Sequence, residues 1–122
     1  MTIEAKYFTE AELNCNHCGR LVIHAPSIVK LDELRERLGK PVILNSAYRC
    51  PEHDAAIGGA GIHPLGQCFD ISIHGPDAYR LIKIAMDLDF TGIGVNQSGP
   101  FRGRFVHLDT LENDLRPRVW SY

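Results

Sequence analysis

Two short apolar segments near the end of the sequence, TGIGVN and RFVHLDT, constrain the fold more than any other feature. They cover residues 91–96 and 104–110, and the seven residues between them include glycine and proline. That connection is shorter than the crossover that parallel strands need, so it favours an antiparallel hairpin. An alternating run at 67–74 and an apolar run at 41–46 predict two further strands.

Two amphipathic helices are predicted beside these strands. Residues 26–38 repeat apolar residues at helical spacing, with Pro26 in the first turn and Gly39 after the last. Residues 76–88 show the same spacing. These elements predict an α+β fold in which both helices pack on a small antiparallel sheet, with RPRVWSY as an extended cover. The length fits one domain, which is expected to span residues 1–122.

Charge and hydropathy exclude several classes of protein. The net charge is −2, with 23% charged and 44% hydrophobic residues, so neither a nucleic-acid partner nor a disordered chain is predicted. Apolar runs stay well short of the roughly 20 residues that span a bilayer, so no membrane anchor is expected. The opening MTIEAKYFTEAEL is polar and acidic, which predicts cytoplasmic synthesis without a signal peptide.

The run GIHPLGQCFDI places a carboxylate, Asp70, inside an apolar strand and seven residues after His63. A buried carboxylate needs a compensating positive charge, and Gly66 allows the tight path of a chelate loop. His107 would face the same side if the strands at 67–74 and 104–110 are neighbours. His63, Asp70 and His107, called the triad below, are therefore a candidate two-histidine, one-carboxylate zinc site. Taken singly, each residue has an ordinary alternative as a solvated, capping or core side chain.

The same run, with NSAYRCPEHDAAIGGAG upstream, resembles the zinc D-alanyl-D-alanine carboxypeptidase and hedgehog-type metallopeptidase family. His63, Gly66 and Asp70 hold the family's positions, whereas Gly61 and Cys68 replace its usual serine and alanine. The resemblance covers nearly the whole chain. The NCNHCG segment and the closing RPRVWSY resemble those of small phage-associated members of the family. It implies a hedgehog-like fold and a Zn2+ cofactor held by the triad.

The resemblance also implies a substrate and a setting. Members of this family hydrolyse peptide bonds in the stem peptides of bacterial peptidoglycan, as D-Ala-D-Ala carboxypeptidases or endopeptidases. The expected protein is thus a phage or prophage lytic enzyme that reaches the cell wall after release or on a virion. We expect a monomer whose partner is bacterial peptidoglycan.

Two further residues are candidates for catalysis. Arg49 matches the arginine that the family places near the substrate, where it can bind an oxyanion or a terminal carboxylate; a structural salt bridge is the alternative. Relatives commonly carry an acid three residues before the last histidine ligand, but this chain has Arg104 there. Asp109, two residues after His107, is expected to be either the general base or the residue that orients a histidine.

The cysteines allow three interpretations. Cys15 and Cys18, with Cys50 and either His17 or Cys68, form a candidate structural zinc site, although a second Cys-x-x-Cys is absent. Reduced, partly buried thiols are the second interpretation, because the cytoplasm is reducing. A disulfide between Cys50 and one of the first two cysteines after export is the third.

Alternative functions follow from the same residues. Because an acid is missing before the last histidine, a non-catalytic peptidoglycan-binding or virion structural module that retains the zinc is one alternative. A hydrolase of a cytoplasmic dipeptide and a zinc-ribbon interaction module are the others. Tyr48, Phe101 and Trp120 are expected either to line a substrate groove or to belong to the core.

Overall fold

The computed structural model describes residues 5–59 and 61–122. Its helices and strands follow each other along the chain as α1 (Glu10–Leu13), α2 (Ala25–Leu38), β1 (Ile43–Ser46), α3 (Pro51–Ala56), β2 (Cys68–Ser72), α4 (Gly75–Asp87), β3 (Gly92–Asn96), β4 (Phe105–Asp109) and β5 (Arg118–Ser121). Single turns of 3-10 helix lie at His63–Leu65 and Phe101–Gly103. The two long helices and the first four strands lie within two residues of their predicted bounds.

The five strands form one sheet in the order β1-β2-β4-β3-β5. All pairings among β1, β2, β3 and β4 are antiparallel, so the predicted hairpin and the α+β class are confirmed. The closing segment, predicted as an extended cover, is instead an edge strand that pairs in parallel with β3. The backbone of β3 would otherwise present unpaired N–H and C=O groups at that edge, and β5 satisfies them. The sheet is therefore mixed.

One face of the sheet carries the hydrophobic core. Phe69 and Ile71 of β2 and Val106 and Leu108 of β4 are buried there, in one cluster with apolar side chains of α2 and α4. Alternate residues of these strands point to the opposite face. Within residues 5–59 and 61–122, no helix is long and apolar enough to cross a bilayer.

The register of the sheet aligns five residues in one row on that opposite face. Asp70 pairs with Ser46 on one side and with His107 on the other; beyond His107 the row continues through Gly94 to Trp120. The predicted neighbourhood of the two strands is thus confirmed, since Asp70 and His107 are direct cross-strand partners. A Cβ at Gly94 would lie 2.6 Å from the Trp120 indole nitrogen, so glycine makes room for this ring.

Gly92 makes room in the same way for the Asp109 side chain. A Cβ added at Gly92 would lie only 2.3 Å from the Asp109 carboxylate, which is too close for two non-bonded atoms. Gly92→Ala is therefore expected to lower the free energy of unfolding by about 1–3 kcal/mol, the usual range for overpacking. Urea denaturation measures the change. Gly103→Ala is the control, because its added Cβ would meet no atom within 4 Å in the described part of the chain. Equal stability of the two variants would contradict the proposed crowding.

Candidate metal centre

The triad side chains converge on the face opposite the core. The Asp70 carboxylate lies 3.0 Å from His107 Nδ1 and 3.4 Å from His63 Nε2. One donor atom of each residue lies within 4.8 Å of the others. His63 and His107 are buried and Asp70 is half-buried, so the cluster is shielded but reachable. This is the arrangement in which three protein ligands can hold a divalent ion and leave one position open.

A tight turn aims His63 at this point. The 3-10 turn that begins with His63 ends at Gly66, whose φ of 75° is left-handed. A Cβ at Gly66 would also lie 2.8 Å from the Val22 carbonyl oxygen. Both the conformation and the lack of space exclude a larger residue, which is why glycine occupies this position between the histidine and β2.

Hydrogen bonds on the far side of each imidazole fix which nitrogen faces Asp70. His63 Nδ1 lies 2.8 Å from the Ala47 carbonyl oxygen, so it must donate its proton there. His107 Nε2 lies 2.8 Å from a carboxylate oxygen of Asp109, to which it donates likewise. In the neutral form of either ring, the nitrogen nearest Asp70 is therefore the one without a proton, and it is free to bind a metal. The donor set fits a borderline divalent ion such as zinc.

The charges in the cluster are balanced around Asp70. Burial raises its pKa, but the His107 and His63 imidazoles, which donate to Asp70 when they are protonated, outweigh burial and hold the pKa well below its usual range. Burial lowers the pKa of His107, whereas the carboxylates of Asp109 and Asp70 hold it above its ordinary value. Asp70 is thus expected to be an anionic donor at neutral pH.

Asp109 contacts His107 at Nε2, whereas Asp70 contacts the same ring at Nδ1. Asp109 is not part of the cavity lining. It is fully buried, and its two oxygens accept hydrogen bonds from the Arg116 guanidinium at 3.0 and 2.8 Å and from the Leu111 N–H at 3.2 Å. Burial raises its pKa, but His107 and Arg116 lower it to about 2. Of its two predicted roles, this position suits the orientation of His107, because a general base must reach the substrate side.

A cavity of about 550 Å³ opens over the triad. Three arginines line it (Arg49, Arg116 and Arg118), whereas Asp70 is the only carboxylate among the described residues that do so. Phe105, Trp120 and Tyr122 add aromatic surface. The cavity therefore combines a positively charged wall with an apolar one.

Arg49 forms the predicted structural salt bridge and also lines the cavity. Its guanidinium is bound to the buried Asp54 at 2.8 Å and to the Ser46 hydroxyl at 3.2 Å, which is the structural salt bridge. It also lies 3.6 Å from Asp70 and lines the cavity. Asp54 in turn accepts the Gly61 N–H at 2.8 Å, so the arginine is held rigidly.

The remaining predictions have mixed outcomes. Trp120 lines the cavity, but Tyr48 is buried beside Cys15 and Cys50, and Phe101 is exposed against His74. Arg104 donates to the Gly99 carbonyl oxygen and stacks on Phe101, so it lies outside the cavity lining.

Sequence reasoning missed Arg116, Arg118 and Tyr122 as cavity residues. Their position depends on the parallel pairing of β5, which local patterns do not reveal. The one available signal was Gly94, a glycine inside an apolar strand, which indicates close approach by another group.

The sequence model of one protein family, described as Peptidase M15, matches residues 6–109. The matched range contains the triad, Arg49 and Asp109, and it ends before β5. Comparison with curated proteins gives no match.

Proposed function

The chain belongs to the peptidase M15 family and is thus a metallopeptidase, and on that premise we propose that it hydrolyses peptide bonds in the stem peptides of bacterial peptidoglycan. The proposed cofactor is one zinc ion held by the triad. The observation that carries the proposal is the convergence of the three side chains, in which the other nitrogen of each imidazole has its own hydrogen-bond acceptor. The setting remains that of a phage or prophage lytic enzyme.

Each residue has a separate task in this proposal. When bound, zinc supplies a Lewis acid for the scissile carbonyl and lowers the pKa of a coordinated water. Asp109 is a positioning residue, because it holds the imidazole of His107 and is itself held by Arg116. Arg49 offers its fixed guanidinium to an oxyanion or to a carboxylate of the substrate.

The charge of the cavity supports a substrate with a carboxylate near the cleaved bond. Arg49, Arg116 and Arg118 face a cavity in which, among the described residues, Asp70 alone is acidic. A free C-terminal carboxylate, as in a D-Ala-D-Ala terminus, is the peptide group that such a surface binds best. The side-chain carboxylates of stem peptides would satisfy it in an endopeptidase reaction.

Product analysis on purified muropeptides tests the proposal. Zinc-loaded protein is expected to release free D-alanine, as a carboxypeptidase, or to create a new amine within the cross-linked peptides, as an endopeptidase. Mass spectrometry of the digest distinguishes the two, and removal of the metal by a chelator should stop both. Absence of either product, with zinc bound, would refute peptidoglycan hydrolysis.

One observation favours a second candidate function. The described lining of the cavity holds no acid besides Asp70, which is committed as a ligand, so a general base is missing there. A non-catalytic module that binds wall peptides through the same site would need none. Sedimentation with intact sacculi distinguishes this function, since such a module would co-sediment with the sacculi and leave them undigested.

Arg49→Lys tests the role of the cavity arginine. Lysine keeps the charge but loses the planar fork, so KM for a peptide with a free C-terminal carboxylate is expected to rise roughly 10- to 100-fold, the equivalent of one hydrogen bond to a charged group. The same peptide with an amidated C-terminus should show little difference between the variant and the unaltered protein. Arg80→Lys, on the exposed surface of α4, is the matched control. An equal rise for both peptides would contradict carboxylate recognition by Arg49.

A further inference from the structure

A second group of side chains with donor atoms suited to a metal includes Cys50, the residue that follows Arg49 in the chain. The sulfur atoms of Cys15, Cys18 and Cys50, called the cysteine cluster below, all lie within 4.8 Å of one another. All are free thiols. In a tetrahedral zinc site with Zn–S bonds of about 2.3 Å, ligand sulfurs are about 3.8 Å apart, so a small contraction would suffice.

The sulfurs already accept the hydrogen bonds that stabilise thiolates. The Cys50 N–H points to Cys15 Sγ at 3.3 Å, and the His53 N–H points to Cys50 Sγ at 3.4 Å. Arg20 Nε lies 3.2 Å from Cys18 Sγ. Such N–H···S contacts orient metal-bound sulfur and offset its charge.

The pKa values of Cys15 and Cys50 shift in opposite directions. Burial raises the pKa of Cys15, but the backbone N–H groups around it, that of Cys50 first, lower the pKa to about 6. Burial raises the pKa of Cys50. A thiolate at Cys15 thus forms readily, and a divalent ion would favour a second one at Cys50.

A fourth donor is close by. Cys15-x-x-Cys18 is matched by Cys50-x-x-His53, a spacing typical of zinc ligands in which histidine replaces the fourth cysteine. His17 Nδ1 lies 3.9 Å from Cys50 Sγ, and the rings of His17 and His53 stack with centroids 5.0 Å apart. The imidazole of His17 therefore borders the cysteine cluster, and the ring of His53 lies against that of His17.

We propose that Cys15, Cys18 and Cys50, with one imidazole of the stacked pair His17 and His53, bind a structural zinc ion separate from the triad. The ion would join the loop after α1 to the start of α3. Cys50 follows Arg49 directly in the chain, and the preceding Tyr48 is bound to the Leu13 carbonyl at 3.1 Å. The metal would thus fix the segment that presents Arg49 to the cavity.

X-ray absorption at the zinc edge of the full-length protein, purified without added reductant or chelator, tests the assignment. His63→Ala removes a ligand from the triad, so its remaining zinc should show scattering by sulfur at about 2.3 Å. That signal would persist even if the triad bound no metal at all, which separates this proposal from the proposed function. Native mass spectrometry should count one zinc in this variant and two in the unaltered protein.

Variants of the thiols complete the test. Cys18 is exposed, so Cys18→Ser should leave the core intact and lose the sulfur-bound zinc. Cys68→Ala removes a buried thiol outside the cysteine cluster and should keep that zinc. His17→Ala and His53→Ala identify the imidazole ligand as the variant that loses the ion.

Three results would overturn the proposal. The first is zinc in the unaltered protein without a sulfur neighbour. The second is a Cys15–Cys50 or Cys18–Cys50 disulfide in place of metal. The third, which would remove the imidazole from the ligand set, is unchanged zinc content when His17 and His53 are both replaced.

Discussion

Asp70→Asn should remove the metal from the triad and lower kcat/KM by roughly a thousandfold, which corresponds to about 4 kcal/mol of lost transition-state stabilisation. Asparagine keeps the shape of the side chain but not the negative charge, which is the only anionic donor in the triad. Two neutral imidazoles and an amide oxygen hold a divalent ion much less tightly.

Metal content and turnover on muropeptides are both measured for this variant. Asp77→Asn is the matched control, because Asp77 is a half-buried aspartate on α4, outside the cavity lining, that pairs with Lys40. The control should keep the metal and full activity. Retention of the triad metal in Asp70→Asn, with normal turnover, would exclude Asp70 as a ligand and with it the proposed function.

Arg116→Met should lower the free energy of unfolding by about 3–5 kcal/mol. The guanidinium donates twice to Asp109, which is fully buried, and only His107 and the Leu111 N–H would remain to offset that charge. Since Asp109 also holds His107, affinity for the triad metal is expected to fall roughly 10- to 100-fold.

Arg118→Met gives the comparison, because Arg118 lines the same cavity but is exposed. Its free energy of unfolding should change by about 0.5 kcal/mol or less. Urea titrations of both variants, with and without metal, supply the values. If the two variants were equally stable, the buried ion pair between Arg116 and Asp109 would not be the support of His107.

The sequence was sufficient where a local pattern determines the structure. Alternation in FVHLD and CFDIS predicted that Asp70 and His107 share a face if the two strands are neighbours, and the structure pairs them directly. Helical spacing likewise located α2 and α4. In each case the residues that bury apolar surface recur at the period of the element they form.

The sequence was insufficient where the partner of a segment is distant. Whether RPRVWSY is an extended cover or an edge strand depends on the open edge of β3, with which it pairs. The positions of Arg116 and Arg118 depend on the same pairing. The role of Asp109 depended on which ring nitrogen of His107 it contacts, which spacing alone leaves undecided. The Cys-x-x-His spacing at residues 50–53 is visible in the sequence. It was overlooked because the comparison was with a zinc site that has two Cys-x-x-Cys pairs.

The row from Ser46 through Asp70, His107 and Gly94 to Trp120 takes one residue from every strand of the sheet. Side chains alternate between faces, so slippage of any strand by a single residue would turn its member of the row into the core. The two donors in the row, Asp70 and His107, can therefore meet only after β2 and β4 have paired in this register. Affinity for the ion thus reports correct pairing of these two strands, and a metal-sensitive dye would follow that step of folding.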